Sequence, residues 1–343
     1  MYRFSPFFLS INPQFKSLPL TEQSLILDSL RVEFEGKGKL LELVQSEVIT
    51  NKDCPHCGCV KVHKRGKQSG VQMYKCVGCT KWFSSTTGTP LWDIKKKGKW
   101  QAYLNCMQRN VPIKKAALEV GICIQTSFDW RHKILSVLNK EIPLKLSGRV
   151  ECDELEMSLS KKGERNLTRK PRKRSSDFKR NLETKEITTV QVVTAIDENN
   201  QTYFKAIETK RITAKDLKKT IGKKLDKHVT LVTDMHPSYI PFVKSKAGIK
   251  HKTVKSNEHV NKEDKKINLQ KVNNQHKQLR QFLGKFNGVS SKYLQNYLNW
   301  FAYGKKMESY ANQTKQWFLA ILTTDVAYNL YQLIKDNAVN IRT

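Results

Sequence analysis

Cys54-Pro-His-Cys57 and Cys76-Val-Gly-Cys79 are two Cys-x2-Cys knuckles separated by 18 residues. Two such pairs bring four thiolates within tetrahedral reach, the donor set of a closed structural zinc site. No other feature constrains the fold as tightly. The segment between the knuckles, "GCVKVHKRGKQSGVQMYK", is basic and poor in apolar side chains, so bound metal must supply what a hydrophobic core would otherwise supply. Trp82 and Phe83 follow the second knuckle, as in a zinc ribbon, and the module is expected over residues 49–92. Cys59 falls outside the paired spacing and is expected to be a bystander. Five of the eight cysteines lie between Cys54 and Cys79. Such clustering reads as metal binding by reduced thiols in a cytosolic protein, not as a disulfide framework.

Charge narrows the partner. Lys plus Arg is 62 against 31 Asp plus Glu, a formal net charge of +31. An excess of this size points to a polyanion, nucleic acid first and an anionic membrane second. No apolar run approaches the roughly 18 residues of a spanning helix. The opening "MYRFSPFFLSINPQF" is interrupted by Ser and Pro and makes a poor signal peptide. A helical segment is expected over 1–48, where "LTEQSLILDSLRVEF" has helical spacing after a possible Thr21 cap.

Residues 93–146 read as a DNA-binding region. "IKKAALEVGI" and "QTSFDWRHKIL" have the outline of helix, turn at Gly121, helix, with Thr126 or Ser127 as cap of the second. The second helix of such a pair can lie in a major groove, which makes Arg131 and Lys133 expected DNA contacts. From Gly148 the pattern becomes α/β. "RVECDELEM", "KEITTVQVVTAID", "QTYFKAIET", "HVTLVTD" and "IKHKTV" read as strands, and "TAKDLKKTIGKKLD" as a helix. Two further helices are expected at about 271–286 and 290–306, and a helical tail over 307–343. A basic insertion at about 160–185 carries Arg169, Lys170, Arg172, Lys173 and Arg174, suited to gripping phosphates without reading sequence.

Within this basic chain "RVECDELEM" packs Glu151, Asp153, Glu154 and Glu156 into six positions. Asp153 lies in a strand and Asp234 ends a later one. Two carboxylates from neighbouring strands can hold Mg2+, although most aspartates are surface or turn residues. Val272, His276, Leu279, Leu283 and Phe286 follow steps of 4, 3, 4 and 3, so they share one helical stripe. Asn273 and Arg280 flank His276. The trio is either a buried hydrogen-bonded group or a third wall of an active site.

These blocks also resemble a known family. "GRVECDELEMSLSKKGERNLTRKPRKR", "LVTDMHPSY" and "VNNQHKQLRQFLGKFNGVSSKYLQNYLNWF" look like insertion-sequence transposases of the DDE superfamily, in a branch with an N-terminal zinc ribbon. "CVGCTKWFSSTTGTPLW" and "TSFDWRHKIL" resemble that branch's ribbon end and helix-turn-helix. The resemblance runs over about residues 50–305. It implies a multi-domain chain, a zinc ribbon and helix-turn-helix followed by an α/β ribonuclease H-like catalytic domain over 147–306, a mixed sheet with flanking helices. It further implies two-metal cleavage and joining of double-stranded DNA at the element's ends and target, by a dimer or larger assembly in the bacterial nucleoid. Asp153 matches the first catalytic aspartate and Asp234 the second. The chain departs from the superfamily at the third position: His276 stands where Glu is usual, and Arg280 where Lys is usual. The zinc-ribbon branch has His at that position too, and the substitution implies either a weaker metal site or a preference for Mn2+, because imidazole suits Mg2+ poorly; an inactivated copy is the alternative. A non-catalytic DNA-binding regulator and a structure-specific nuclease remain the competing readings.

Overall fold

The computed structural model describes residues 13–19, 22–23, 53–68, 71–84, 86–89, 91–92, 94, 96–138, 145–164, 189–209, 211–255 and 267–308. Arg169, Lys170, Arg172, Lys173 and Arg174 therefore lie outside the described residues, as do most of 1–48 and nearly all of 307–343. The chain divides into two compact units between Met107 and Gln108.

In the first unit, β1 (Val62–Gln68), β2 (Val71–Cys76) and β3 (Trp82–Ser84) form an antiparallel sheet in that order. The helix α1 (Trp100–Gln108) follows. The sheet buries little. Its apolar cluster is Cys54, Tyr74, Cys76 and Phe83, with the Tyr74 and Phe83 rings stacked at 5.4 Å. Two of those four residues are knuckle cysteines. Every side chain of β1 after Val62 is exposed.

The second unit begins with α2 (Ile113–Val120) and α3 (Ile124–Val137). Gly121 joins them in the left-handed region at φ 68°, a conformation that glycine adopts without a Cβ clash. The pair matches the expected outline, but α3 starts earlier than expected. Its N-cap is Cys123, whose Sγ accepts from Thr126 N at 3.4 Å. Thr126 and Ser127 lie inside the first turn, and Ser127 Oγ donates to Ile113 O. The usual capping residues are Ser, Thr, Asp and Asn, so a thiol cap is invisible to that rule.

The expected DNA contact at Arg131 is corrected by its burial. Its side chain is fully enclosed, donates to Val111 O at 2.8 Å, and lies over the Trp300 ring at 4.8 Å. A guanidinium held this way supports the packing and cannot reach a phosphate. Lys133 on the same helix is half-buried. The neighbouring His132 is wedged among Phe128, Tyr293 and Tyr297. Burial, with Arg131 beside it, drives its pKa from 6.5 down to about 3. An imidazole that must stay neutral stabilises the fold above its unfolded pKa of 6.5, and that stability is lost as pH falls towards 3. Wild type should therefore lose about 2–3 kcal/mol more than His132→Phe between pH 7 and pH 4.5. Thermal melts of the two proteins across that range check this, and parallel losses refute it.

The sheet of the second unit comprises β4 (Arg149–Ser158), β5 (Thr189–Asp197), β6 (Thr202–Ile207), β7 (Thr230–Thr233) and β8 (Lys250–Thr253). Its order is β6-β5-β4-β7-β8. β4, β5 and β6 pair antiparallel, whereas β7 pairs parallel with β4 and β8 parallel with β7. The longest strand, β4, is thus central. Its alternate residues face opposite sides of the sheet. Val150 and Cys152 pack with Leu217, Tyr239 and Phe242 from α4 (Ala214–Lys219) and α5 (Tyr239–Lys244). A second cluster joins Ile196 and Val232 of the sheet to Val272 of α6 (Gln270–Gly284). The last helix among the described residues, α7 (Ser291–Met307), packs on α3, α6 and β6. The helix expected over 213–226 closes earlier, at Lys219, after a capping box between Thr213 and Asp216. This mixed five-stranded sheet with flanking helices is compatible with a ribonuclease H-like domain.

Candidate functional site

Strand register builds the site. β4 and β7 pair in parallel at 149↔230, 150↔231 and 151↔232. Two further steps along both chains bring Asp153 alongside Asp234, the residue just past the end of β7. Asp234 Oδ1 accepts from His236 N at 2.9 Å, which turns the chain there. β7 stops at Thr233, so Asp234 stands just past the strand's end beside β4. Glu154, one residue on from Asp153, reaches the same place. One carboxylate oxygen from each of Asp153, Glu154 and Asp234 lies within 4.8 Å of the others.

Three carboxylates this close repel one another. Burial, opposed in part by a hydrogen bond and reinforced by Asp234, raises the Asp153 pKa to about 6. Burial raises Glu154 to about 7, against a hydrogen bond from Tyr239 and with both aspartates adding repulsion. Oε1 of Glu154 is buried and makes no hydrogen bond among the described residues. A divalent cation is the partner such a set accepts, since hard cations take carboxylate oxygens.

His276 approaches from α6. The apolar stripe turns inward as its spacing predicted: Val272, Leu279, Leu283 and Phe286 are buried with it. His276 Nδ1 stands 3.8 Å from Asp153 Oδ2. Burial, and then the charge of Arg280, lowers the His276 pKa to about 4. The ring is thus neutral at pH 7, so the contact is not an ion pair. Nε2 is buried without a hydrogen-bond partner among the described residues. A neutral imidazole with an unengaged nitrogen is a metal donor in form.

A cleft of about 500 Å3 opens here, lined by Asp153, Glu154, Glu156, Asn273, His276, Lys277 and Arg280 among others. One wall is acidic and the other is basic and exposed, an arrangement suited to a cation with a phosphate above it. The structure thus gathers Asp153, Asp234 and His276 from two strands and a helix, with Asn273 and Arg280 on the cleft wall. Glu154 was missed by sequence reasoning, which looked for a third carboxylate only on the helix. Its signal was adjacency to Asp153, masked by the rule that neighbours on a strand face opposite sides. The rest of the acidic island does other work. Glu156 accepts from Gln191 Nε2 at 2.9 Å, and Glu151 accepts from Val272 N at 3.1 Å.

In the first unit the four knuckle sulfurs lie within 4.8 Å of one another. Cys54 Sγ to Cys79 Sγ and Cys57 Sγ to Cys76 Sγ are each 3.6 Å. A disulfide needs about 2.05 Å. Zinc at about 2.3 Å from each of four tetrahedral sulfurs sets the S···S edge near 3.8 Å, so the cysteines fit that ion. Gly58, at φ 73°, closes the first knuckle by donating to Cys54 O. Cys59 is not one of the four; its Sγ contacts Lys61 O.

Residues 145–305 match the model of the ISXO2-like transposase domain. No curated protein matches the chain. Among the described residues, no helix is long and apolar enough to cross a membrane.

Proposed function

We propose, from the match of residues 145–305 to the ISXO2-like transposase domain, that the chain is a transposase of the DDE superfamily that binds the ends of its own insertion sequence, cleaves those DNA strands with the help of a divalent cation, and joins them to a target. The observation that carries this reading is the convergence of Asp153, Glu154 and Asp234 at the open end of β7, facing the basic wall of α6. In this reading the three carboxylates and neutral His276 hold Mg2+ or Mn2+, and the imidazole favours Mn2+. The cation supplies Lewis-acid charge to the transferring phosphoryl group, the contribution that phosphoryl transfer most requires. Arg280 presents a planar fork to a phosphate oxygen, Lys277 adds charge one turn earlier, and Asn273 offers an amide to the DNA backbone. The cysteine cluster holds one structural zinc, and the ribbon with the α2–α3 pair recognises the element's ends.

Incubating a labelled end carrying a free 3′-hydroxyl with target DNA tests the proposal in Mg2+ and in Mn2+. Joined product supports it. Cleavage without joining makes the chain a nuclease, and binding without either makes it a regulator.

The insertion is assigned the grip on phosphates. Neutralising Arg172, Lys173 and Arg174 should weaken binding to all duplexes alike. It should also reduce the salt dependence of log affinity by about 0.9 per lost phosphate contact. An unchanged salt slope with an altered sequence preference would make the insertion a reader instead.

A further inference from the structure

We propose that Glu151 is a positioning residue: with Asp153 two places along β4 it sets the register of α6 against the strand, and Lys162 holds the same helix from its other end. The inference rests on the reading of the site given above. It begins with an oddity of α6. Leu269 occupies the N-cap and supplies no side-chain hydrogen bond, although the first backbone N–H groups of a helix need acceptors. The acceptor comes from another element. Glu151 is buried, 2% exposed, and its Oε2 takes Val272 N at 3.1 Å.

Spacing makes this more than a cap. Residues two apart on a strand are separated by about 6.7 Å, and residues four apart on a helix rise about 6 Å. The rung between Glu151 and Val272 therefore brings the next rung, Asp153 with His276, into line; there Nδ1 and Oδ2 are 3.8 Å apart. Past the far end of α6, Lys162 Nζ donates to Phe286 O, Asn287 O and Gly288 O at 3.4, 3.0 and 2.9 Å. A carboxylate at the N-terminus and an ammonium beyond the C-terminus both complement the helix dipole. Both grips come from β4 and the segment directly after it, so one strand carries Asp153 and splints the helix that carries His276.

The test compares Glu151→Ala, Glu151→Gln and Lys162→Met in the full chain. Glutamine keeps an acceptor oxygen and is the rescue. Hydrogen exchange at Val272 should speed up about tenfold or more in Glu151→Ala, and cleavage kcat should fall about tenfold or more with KM for end DNA within about twofold, because misplacing reacting groups by about 1 Å is that costly. Glu151→Gln should recover most of the loss, and Lys162→Met should lower kcat in the same direction. A cap that served stability alone would leave the kcat of folded protein unchanged, and that result overturns the proposal. So does equal damage from Glu151→Gln and Glu151→Ala. Should Glu151→Ala not fold, Lys162→Met decides, since Lys162 is exposed and a wild-type kcat there removes the two-ended grip. If wild type itself cleaves nothing, the transposase reading falls alone. Calorimetric Mn2+ titration then judges the splint: affinity about tenfold weaker in Glu151→Ala supports it, and equal affinity overturns it.

Discussion

Asp153→Asn and Asp234→Asn proteins should bind element-end DNA as wild type does and cut it slower by at least about 1,000-fold, because a lost anionic ligand removes several kcal/mol of transition-state stabilisation. The fold should tolerate both changes. Asparagine has nearly the same shape, and Asp153 already costs the folded protein free energy, burial having raised its pKa to about 6. Glu154→Gln belongs in the same series, since its carboxylate completes the cluster. His276→Ala should be milder, because three carboxylates remain. His276→Glu should move metal preference from Mn2+ towards Mg2+. The measurement is cleavage of a labelled element end by each variant in either metal, beside a binding isotherm. Wild-type cutting by both aspartate variants would show that the convergence at β7 is not the reactive centre. Inactivity of Glu154→Gln with full activity of His276→Ala would move the third ligand from α6 to β4.

Loss of zinc should dismantle the first sheet. The folded protein is expected to hold about one tightly bound zinc per chain, as four thiolates complete one tetrahedral site. Cys54→Ser or Cys79→Ser should release it. Structural zinc contributes roughly 10–16 kcal/mol in isolated zinc modules, as much as or more than the roughly 5–15 kcal/mol net stability of a whole domain. The competing stabilisation is small: an apolar cluster of Cys54, Tyr74, Cys76 and Phe83, half of it the ligands themselves. The variants should thus lose the β1–β3 sheet and sequence-specific DNA binding, while the second unit, with its own cores, stays folded. Metal analysis of purified protein, with circular dichroism before and after chelation, reads this out. A folded preparation without zinc would refute it.

Much of this was legible along the chain. The knuckle spacing named the four cysteines that come together, and the 4-3-4-3 steps placed His276 on the buried face of α6. In both cases the signal is local: a turn of two residues or a helical period fixes which side chains share a place, whatever the rest of the molecule does. Alternation and β-branched runs likewise marked β4, β5 and β7. The family blocks in Asp153, Asp234 and His276 pointed to the cluster before any distance was known.

Other features depended on where separate elements meet. Arg131 has the residue type and helix of a DNA contact, yet Trp300, 169 positions away, covers it. Nothing near Arg131 in the chain records that burial. Glu154 should face away from Asp153 by strand alternation, yet both bring a carboxylate oxygen to Asp234, just past the end of β7. Glu151, in the same acidic run, became the acceptor for a helix 121 residues away. Periodicity determines which side chains share a face. Which element lies against that face, and where its neighbour stops, is set by packing between distant segments, and that decided the separate tasks of the four carboxylates in "RVECDELEM".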